Sequence, residues 1–135
     1  MKIKFHRRDS VREMPFTTIG YWSWSEPQNS GTLHIEVVKM SDWRFEFAVW
    51  GHEIIEVAYC WLIGTTTEQA DDFDAMYEKG YNDGTIPKTK EPGHDRKCPY
   101  HWGHMAGVAW EHICIFITFA SWSKYLAECD KIMEI

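Results

Sequence analysis

The sequence predicts an α+β fold, in which a small antiparallel sheet of three strands precedes three or four helices. Alternating segments rich in aromatic and β-branched residues occupy residues 1–40, a pattern typical of strands. From residue 41 onward, apolar residues recur at helical spacing. The length of 135 residues and the absence of an internal repeat predict a single domain spanning 1–135, β-rich over 1–40 and helical over 41–135.

Three segments account for the predicted sheet. Residues 2–6 and 16–25 alternate in polarity, and residues 32–40 place every second apolar side chain on one face. Residues 26–31 contain Pro, Asn, Ser and Gly, which favour a turn between the second and third strands. We therefore expect three antiparallel strands.

A long amphipathic helix is predicted to follow the sheet. Ser41 is a suitable N-cap, and Gly64 is a suitable terminator. Between them, apolar residues recur with helical periodicity, namely Trp43, Phe47, Trp50, Ile54, Val57 and Trp61.

A second helix is predicted to begin near Thr65, which has capping-box spacing to Glu68, and to end before Gly80. It is strongly acidic on all but one face. Residues 80–98 combine Gly and Pro with charged residues and read as a long surface loop, and loops of this length are often functional.

Two further helices complete the prediction. Pro99 suits the first turn of a third helix that runs to about Phe119. A short helix from Ser121 to Ile132 would finish the domain. Its inward residues are predicted to be Trp122, Tyr125, Leu126 and Cys129.

Composition excludes several classes of protein. The net charge of −6 argues against nucleic-acid binding, which depends on clustered Lys and Arg. No apolar run reaches the 18 or more residues of a membrane span. The four cysteines form no Cys-x-x-Cys pair, and no signal peptide is recognisable at the start, so we expect free thiols in the cytoplasm.

The first cluster of metal-capable residues lies at His52, Glu53 and Glu56 in the first predicted helix. Residues four apart on a helix share one face, about 6 Å apart along the axis. His52 and Glu56 could therefore chelate one ion while Glu53 lies beside the ligand face. A carboxylate in that position is suited to act as a general base on a metal-activated water. The alternative is that all three residues form a polar stripe on a solvated helix face.

The second cluster lies between residues 101 and 112 and predicts a third ligand. His104 is the most central residue and would complete a His/Glu/His zinc set. His101 and Glu111 are either alternative ligands or partners that orient a ligand histidine. Asp74, on the acidic second helix, could play the same orienting role.

Four ordered motifs occur between residues 48 and 112, namely His52-Glu53-Ile54-Ile55-Glu56, Asp72-Phe73-Asp74 with Tyr77-Glu78, Glu91-Pro92-Gly93, and Cys98-Pro99-Tyr100 with His104 and Glu111. Together they resemble an uncharacterised family of small bacterial and phage proteins that have a His-Glu-x-x-Glu helix. The resemblance implies a metal-centred site around His52, Glu53, Glu56, Asp74 and His104. The order of sheet and then ligand helix is similar to that of minimal zincin-like domains. The chain differs from His-Glu-x-x-His peptidases at Glu56, which stands in place of the second histidine. A carboxylate at this position lowers the net charge and the Lewis acidity of a bound ion.

Three functions follow as hypotheses. The first is a zinc-dependent hydrolase of peptide or amide bonds, acting on a peptide or a small molecule, with His52, Glu56 and His104 as ligands and Glu53 as general base. The second is a non-catalytic protein, in a phage or host-interaction setting, whose metal braces two helices. The third is an enzyme similar to nucleotide pyrophosphohydrolases, in which carboxylates bind Mg²⁺ or Mn²⁺.

Overall fold

The protein has an α+β fold, as predicted. Its computed structural model describes residues 1–134. Short 3₁₀ turns lie at Val11–Glu13 and Pro92–His94. The strands are β1 (Lys2–Arg8), β2 (Gly20–Trp24) and β3 (Thr32–Val38), and the helices are α1 (Trp43–Ile63), α2 (Thr67–Asp83), α3 (His101–Ile117) and α4 (Trp122–Met133).

The sheet is mixed, so the prediction of a wholly antiparallel sheet is wrong. Strand β3 lies in the centre, with β2 antiparallel on one side and β1 parallel on the other. A short turn folds β3 back on β2, which makes that pair antiparallel. The connection from β1 to β3 is long and includes β2 itself, so it can carry the chain back to the starting end of β1. The second strand also begins at Gly20, later than the predicted residue 16.

Helix α1 ends at Gly64 as predicted but is capped by Asp42 instead of Ser41. The Asp42 side chain accepts a hydrogen bond from the Arg44 amide. Ser41 is engaged elsewhere, because its amide and hydroxyl both donate to Glu128 on α4, at 2.7 and 2.9 Å. Gly64 has φ of 82°, in the left-handed region that terminates helices.

Helix α2 is shifted and longer than predicted. Its capping box joins Thr66 and Gln69, because the Thr65 hydroxyl donates to the carbonyl of Pro99. The helix also continues through Gly80 to Asp83. A mid-helix glycine costs about 1 kcal/mol relative to alanine, and here the side chain of Ile86 packs where a Cβ on Gly80 would lie.

Helices α3 and α4 lie near their predicted positions. α3 begins at His101, two residues after Pro99, and ends before Phe119, whose φ of 58° is incompatible with a continuing right-handed helix. α4 begins at Trp122, one residue after the predicted start, and Ser121 caps it by accepting a hydrogen bond from the Lys124 amide. Tyr125 faces inward with 1% exposure, but the predicted inward position of Leu126 is wrong, since this residue is 44% exposed.

One apolar core joins the sheet to all four helices. Helices α1 and α3 pack against each other in antiparallel directions, because Cys114 lies 3.9 Å from the carbonyl of Arg44 whereas Gly103 lies next to Glu56. The facing surfaces of this pair position both clusters singled out in the sequence. Within residues 1–134, no helix combines the length and the apolar character needed to cross a membrane.

Candidate metal centre

His52, Glu56 and His104 meet at one point between α1 and α3. His52 Nε2 lies 3.0 Å from Glu56 Oε2, and His104 Nδ1 lies 3.1 Å from both of these atoms. Ligand atoms around a tetrahedral zinc ion are separated by about 3.3 Å, given bond lengths of about 2.0 Å. The three side chains therefore form a nearly equilateral face on which one small cation would fit with little rearrangement.

The two helices bring these side chains together by simple means. His52 and Glu56 are one turn apart on α1, as their spacing predicts. On α3, Gly107 lies against the His52 ring, and a Cβ there would approach the ring atoms Cγ and Nδ1 to 2.7 Å. Glycine at this position lets α3 lie close enough for His104 to reach the pair.

His52, Glu53 and Glu56 are all buried, with exposures of 5–6%. The alternative interpretation of a solvated polar stripe is therefore wrong. Burying ionisable groups is costly unless charges are paired, hydrogen-bonded or bound to a metal. The cost is met in part by the short contacts among His52, Glu56 and His104.

Further side chains orient the candidate ligands. Glu111 Oε2 lies 3.0 Å from His52 Nδ1, and Tyr125 donates its hydroxyl proton to the other oxygen of Glu111. The Trp22 indole donates to Glu56 Oε1 at 2.8 Å, which leaves Oε2 facing the two histidines. Carboxylate-supported histidines are typical of zinc sites, where such partners fix the ring orientation and the tautomer. Glu111 thus contacts a candidate ligand, as in the second of the two roles that the sequence left open for it.

The charged groups of the cluster shift one another's pKa values. Burial lowers the pKa of His104, but the hydrogen bond with Glu56 and the nearby carboxylate of Glu91 outweigh it and raise this pKa to about 9. Burial raises the pKa of Glu56, but hydrogen bonds from His104 and His52 bring it down to about 2. A cation would take the place of the protons that the histidines hold in this state.

Glu53 lies beside the cluster and outside its hydrogen bonds. Its carboxylate packs against Gly20, where a Cβ would come within 2.3 Å of Oε1, and it forms no hydrogen bond within residues 1–134. Burial raises the pKa of Glu53 to about 8, and the negative charge of Glu56 adds to the effect. A buried carboxylate with a pKa near neutrality is suited to proton transfer.

A cavity of about 440 Å³ opens onto the cluster. Small-molecule sites are commonly concave spaces of about 300–1,000 Å³. Its wall contains His52, Glu53, Glu56 and His104 together with aromatic side chains from four regions of the chain. Lys88 is the single lysine in the described wall, which contains no arginine, whereas the acidic residues are Glu53, Glu56, Asp74, Glu78, Glu91, Glu111, Asp130 and Glu134.

Asp74 and His101 do not contact the candidate ligands His52, Glu56 or His104 through hydrogen bonds within residues 1–134. Asp74 lines the cavity and accepts a hydrogen bond from the Tyr100 hydroxyl, not from a candidate ligand. Burial raises the pKa of Asp74 to about 7. His101 is buried, and its Nδ1 contacts the carbonyl of Gly93 at 2.9 Å. This histidine therefore supports the loop between α2 and α3.

Two cavity residues were not expected from the sequence as parts of the site. Glu91 Oε2 lies 3.2 Å from His104 Nε2 and 3.2 Å from His94 Nδ1. Both residues lie between α2 and α3, in the part of the chain predicted as the 80–98 loop, and both line the cavity. Glu91 also belongs to one of the motifs of the family resemblance, whereas the only sequence signal for His94 was its position just before the second cluster, since loop contacts follow no fixed spacing.

Comparisons with models of protein families, with curated proteins and with solved structures found no match to this chain.

Proposed function

We propose that the protein is a zinc-dependent hydrolase that cleaves a peptide or amide bond. His52, Glu56 and His104 would hold the ion and Glu53 would act as general base. The observation that carries the proposal is the triangle of ligand atoms with sides of 3.0–3.1 Å, buried at the wall of a cavity. Two nitrogen donors and one carboxylate oxygen form a common catalytic zinc set.

Each of these side chains has a distinct chemical task. A zinc ion, when bound, polarises a carbonyl and lowers the pKa of a coordinated water to about 7. Glu53 accepts a proton from the attacking water and returns it to the leaving nitrogen. Glu111 and Trp22 hold His52 and Glu56 in place, so that neither ligand has to reorient during the reaction.

The third hypothesis, a Mg²⁺ or Mn²⁺ enzyme acting on nucleotides, fits the site less well. Two of the three converging atoms are imidazole nitrogens, whereas these ions prefer oxygen ligands. Nucleotide phosphates are also usually bound by Arg or Lys, and the described wall offers Lys88 alone. The acidic wall favours a neutral or positively charged substrate.

The second hypothesis, a metal that only braces two helices, does not account for the cavity. A structural zinc site has four protein ligands, whereas only His52, Glu56 and His104 converge here within the described chain. Glu53 would also have no function in a brace.

A cytoplasmic location is part of our proposal and is supported by cysteines that are all free.

The proposal is tested by assaying the metal-free protein with a panel of peptide, acyl-amide and nucleotide substrates after loading with Zn²⁺, Mn²⁺ or Mg²⁺. We expect cleavage of an amide substrate that depends on Zn²⁺ and stops when a chelator is added. Turnover of nucleotides with Mg²⁺ alone would support the third hypothesis instead. A zinc-loaded protein that cleaves no member of a broad amide panel would favour the structural brace.

A further inference from the structure

A second group of metal-capable atoms lies on the outer side of His104. Glu91 Oε2 is 3.2 Å from His94 Nδ1 and 3.2 Å from His104 Nε2. We call Glu91, His94 and His104 Nε2 the rim site. It uses the opposite ring nitrogen of His104 from the one that faces His52 and Glu56, so the two groups of ligands lie on either side of one imidazole.

The outer nitrogen of His104 has no satisfactory partner. His104 Nε2 is buried and has no hydrogen bond, because the nearby Glu91 oxygen lies within ion-pair distance but outside hydrogen-bond geometry. Buried polar atoms without a partner are uncommon and call for an explanation. A cation between His104 Nε2, Glu91 and His94 would satisfy this atom.

The loop that carries Glu91 and His94 is held in place against His104. Gly93 lies on the His104 ring, where a Cβ would come within 2.3 Å of Cγ. The carbonyl of Gly93 contacts His101 Nδ1 at 2.9 Å, and the Tyr81 hydroxyl donates to the carbonyl of Lys90 at 2.5 Å. These contacts fix the distance between the rim ligands and the imidazole.

The two sites differ in their access to water. The side chains of Glu91 and His94 are 53% and 49% exposed, whereas those of His52 and Glu56 are 7% and 6% exposed. His104 lies between them, with a side-chain exposure of 12%. A hydrated ion arriving from solvent would therefore meet the rim ligands first.

We propose that the rim site is the entry position for the ion of the buried centre, and that the two positions are filled one at a time. This inference rests on the proposed metal-dependent function. A neutral imidazole has one lone pair and one N–H, so it binds a metal through only one of its nitrogens. While the rim ion is bound at Nε2, Nδ1 carries the proton and faces Glu56.

Transfer of the ion to the buried centre exchanges the roles of the two ring nitrogens of His104. The ion leaves Nε2 and binds Nδ1, the proton on Nδ1 is lost, and a proton is gained at Nε2, where it faces Glu91. The exchange causes no net release of protons. Glu91 then supports His104 from outside as Glu111 supports His52.

The test is the rate of metal loading, followed by stopped-flow absorption of Co²⁺ binding to the metal-free full chain. The change is His94→Ala, which removes an exposed rim ligand but none of the three ligands of the buried centre; the His94 ring packs on His104 at 4.8 Å between ring centroids, so the dissociation constant is measured alongside the rate. An entry position alters the rate of binding and not the equilibrium, so loading should slow by about tenfold or more while the dissociation constant stays within about threefold. His94→Asp restores a metal ligand and should recover the rate.

The matched control is His6→Ala. His6 Nε2 lies 3.0 Å from His34 Nδ1 on the sheet, so this pair could bind added metal by itself. Removal of the His6 imidazole should not change the factor by which His94→Ala slows the loading of Co²⁺. The stoichiometry in this background should be one ion per chain.

Three results would overturn the inference without affecting the proposed function. One is an unchanged loading rate in His94→Ala. Another is an affinity that falls in proportion to the rate, which would make His94 a support of the buried centre alone. The third is two ions bound together, which would require His104 to bridge them as an imidazolate. Failure to bind any metal would instead reject the proposed function itself.

Discussion

Glu53 differs from the other residues of the candidate site in its surroundings, and these support its proposed role as general base. It is buried, it is free of hydrogen bonds within residues 1–134, and burial raises its pKa to about 8. Its neighbours His52 and Glu56 are held by each other and by further side chains. These differences support the proposed roles of Glu53 as proton acceptor and of His52 and Glu56 as metal ligands.

Replacement of Glu53 by Gln tests this separation. Gln keeps the shape and removes the charge that accepts the proton, so amide cleavage should fall by about 10²-fold or more. Zinc affinity and melting temperature should change little, because no protein hydrogen bond is lost and Gln has nearly the same size as the carboxyl group that it replaces. The measurements are turnover, zinc calorimetry and thermal unfolding on the same preparation. Release of zinc from the variant would identify Glu53 as a ligand, and full activity would exclude it as the base.

Glu46 provides an independent prediction at the residue scale, remote from the metal centre. Burial raises the pKa of Glu46, but hydrogen bonds from Arg7 and the Met40 amide outweigh it, so the net shift is downward from 4.5. A carboxylate with a lowered folded-state pKa stabilises the fold above its unfolded pKa, and this stability is lost as the pH falls through the folded value.

Glu46→Gln should therefore lower the free energy of unfolding at pH 7, and the difference from wild type should shrink as the pH falls below about 4.5. Denaturant unfolding at several pH values measures this. Glu26→Gln is the control, because Glu26 is exposed and makes no ion pair within residues 1–134. A difference that persists undiminished at pH 3 would show that Glu46 acts through packing and not through its charge.

At the scale of elements, the packing of α3 on α1 creates the site. Gly107 marks one close approach of the two helices, where the ring of His52 occupies the space that a side chain would need. Alanine is preferred to glycine within a helix by about 1 kcal/mol. Overpacking at a tight contact costs about 1–3 kcal/mol. At Gly107 the cost of overpacking should exceed the gain in helix propensity.

Gly107→Ala should therefore displace His52 from Glu111 and weaken zinc binding by about tenfold or more, as is typical when an orienting partner is lost. Calorimetric zinc titration measures the change. Ala109→Ser is the control, since Ala109 is exposed on the same helix. Equal zinc affinity in Gly107→Ala and wild type would show that the position of the His52 ring is not critical.

Sequence periodicity predicted the parts of the site that lie within one element. The pair His52 and Glu56 follows from helical spacing alone, and the choice of His104 followed from its central place in the second cluster. Trp22, Tyr125 and Glu91 could not be predicted in this way, because they reach the site from a strand, another helix and a loop. Their contacts depend on tertiary packing, which has no fixed sequence interval.

At the scale of the whole molecule, the order of elements was predictable and their pairing was less so. Capping residues and periodicity indicated a sheet followed by three or four helices. The parallel pairing of β1 with β3 was missed, because the direction of a strand depends on the path of a long connection. Helix ends shifted where a predicted cap was engaged by another element, as with Ser41 and Glu128.

The whole fold converges on one centre. Sheet, helices and loop each place a side chain beside the triangle of His52, Glu56 and His104. A cation bound there would link α1 to α3 and stabilise the folded state by mass action. The central claim is therefore that the chain binds a single transition-metal ion at these three residues.

Calorimetric titration of the metal-free protein with Zn²⁺ tests this claim most directly. His6→Ala serves as the background, so that the surface histidine pair does not contribute. We expect one equivalent of Zn²⁺ to bind, and we expect His104→Ala to weaken this binding by at least about 10²-fold, since it loses one of three protein ligands. Absence of zinc binding, or an affinity unchanged by His104→Ala, would contradict the account.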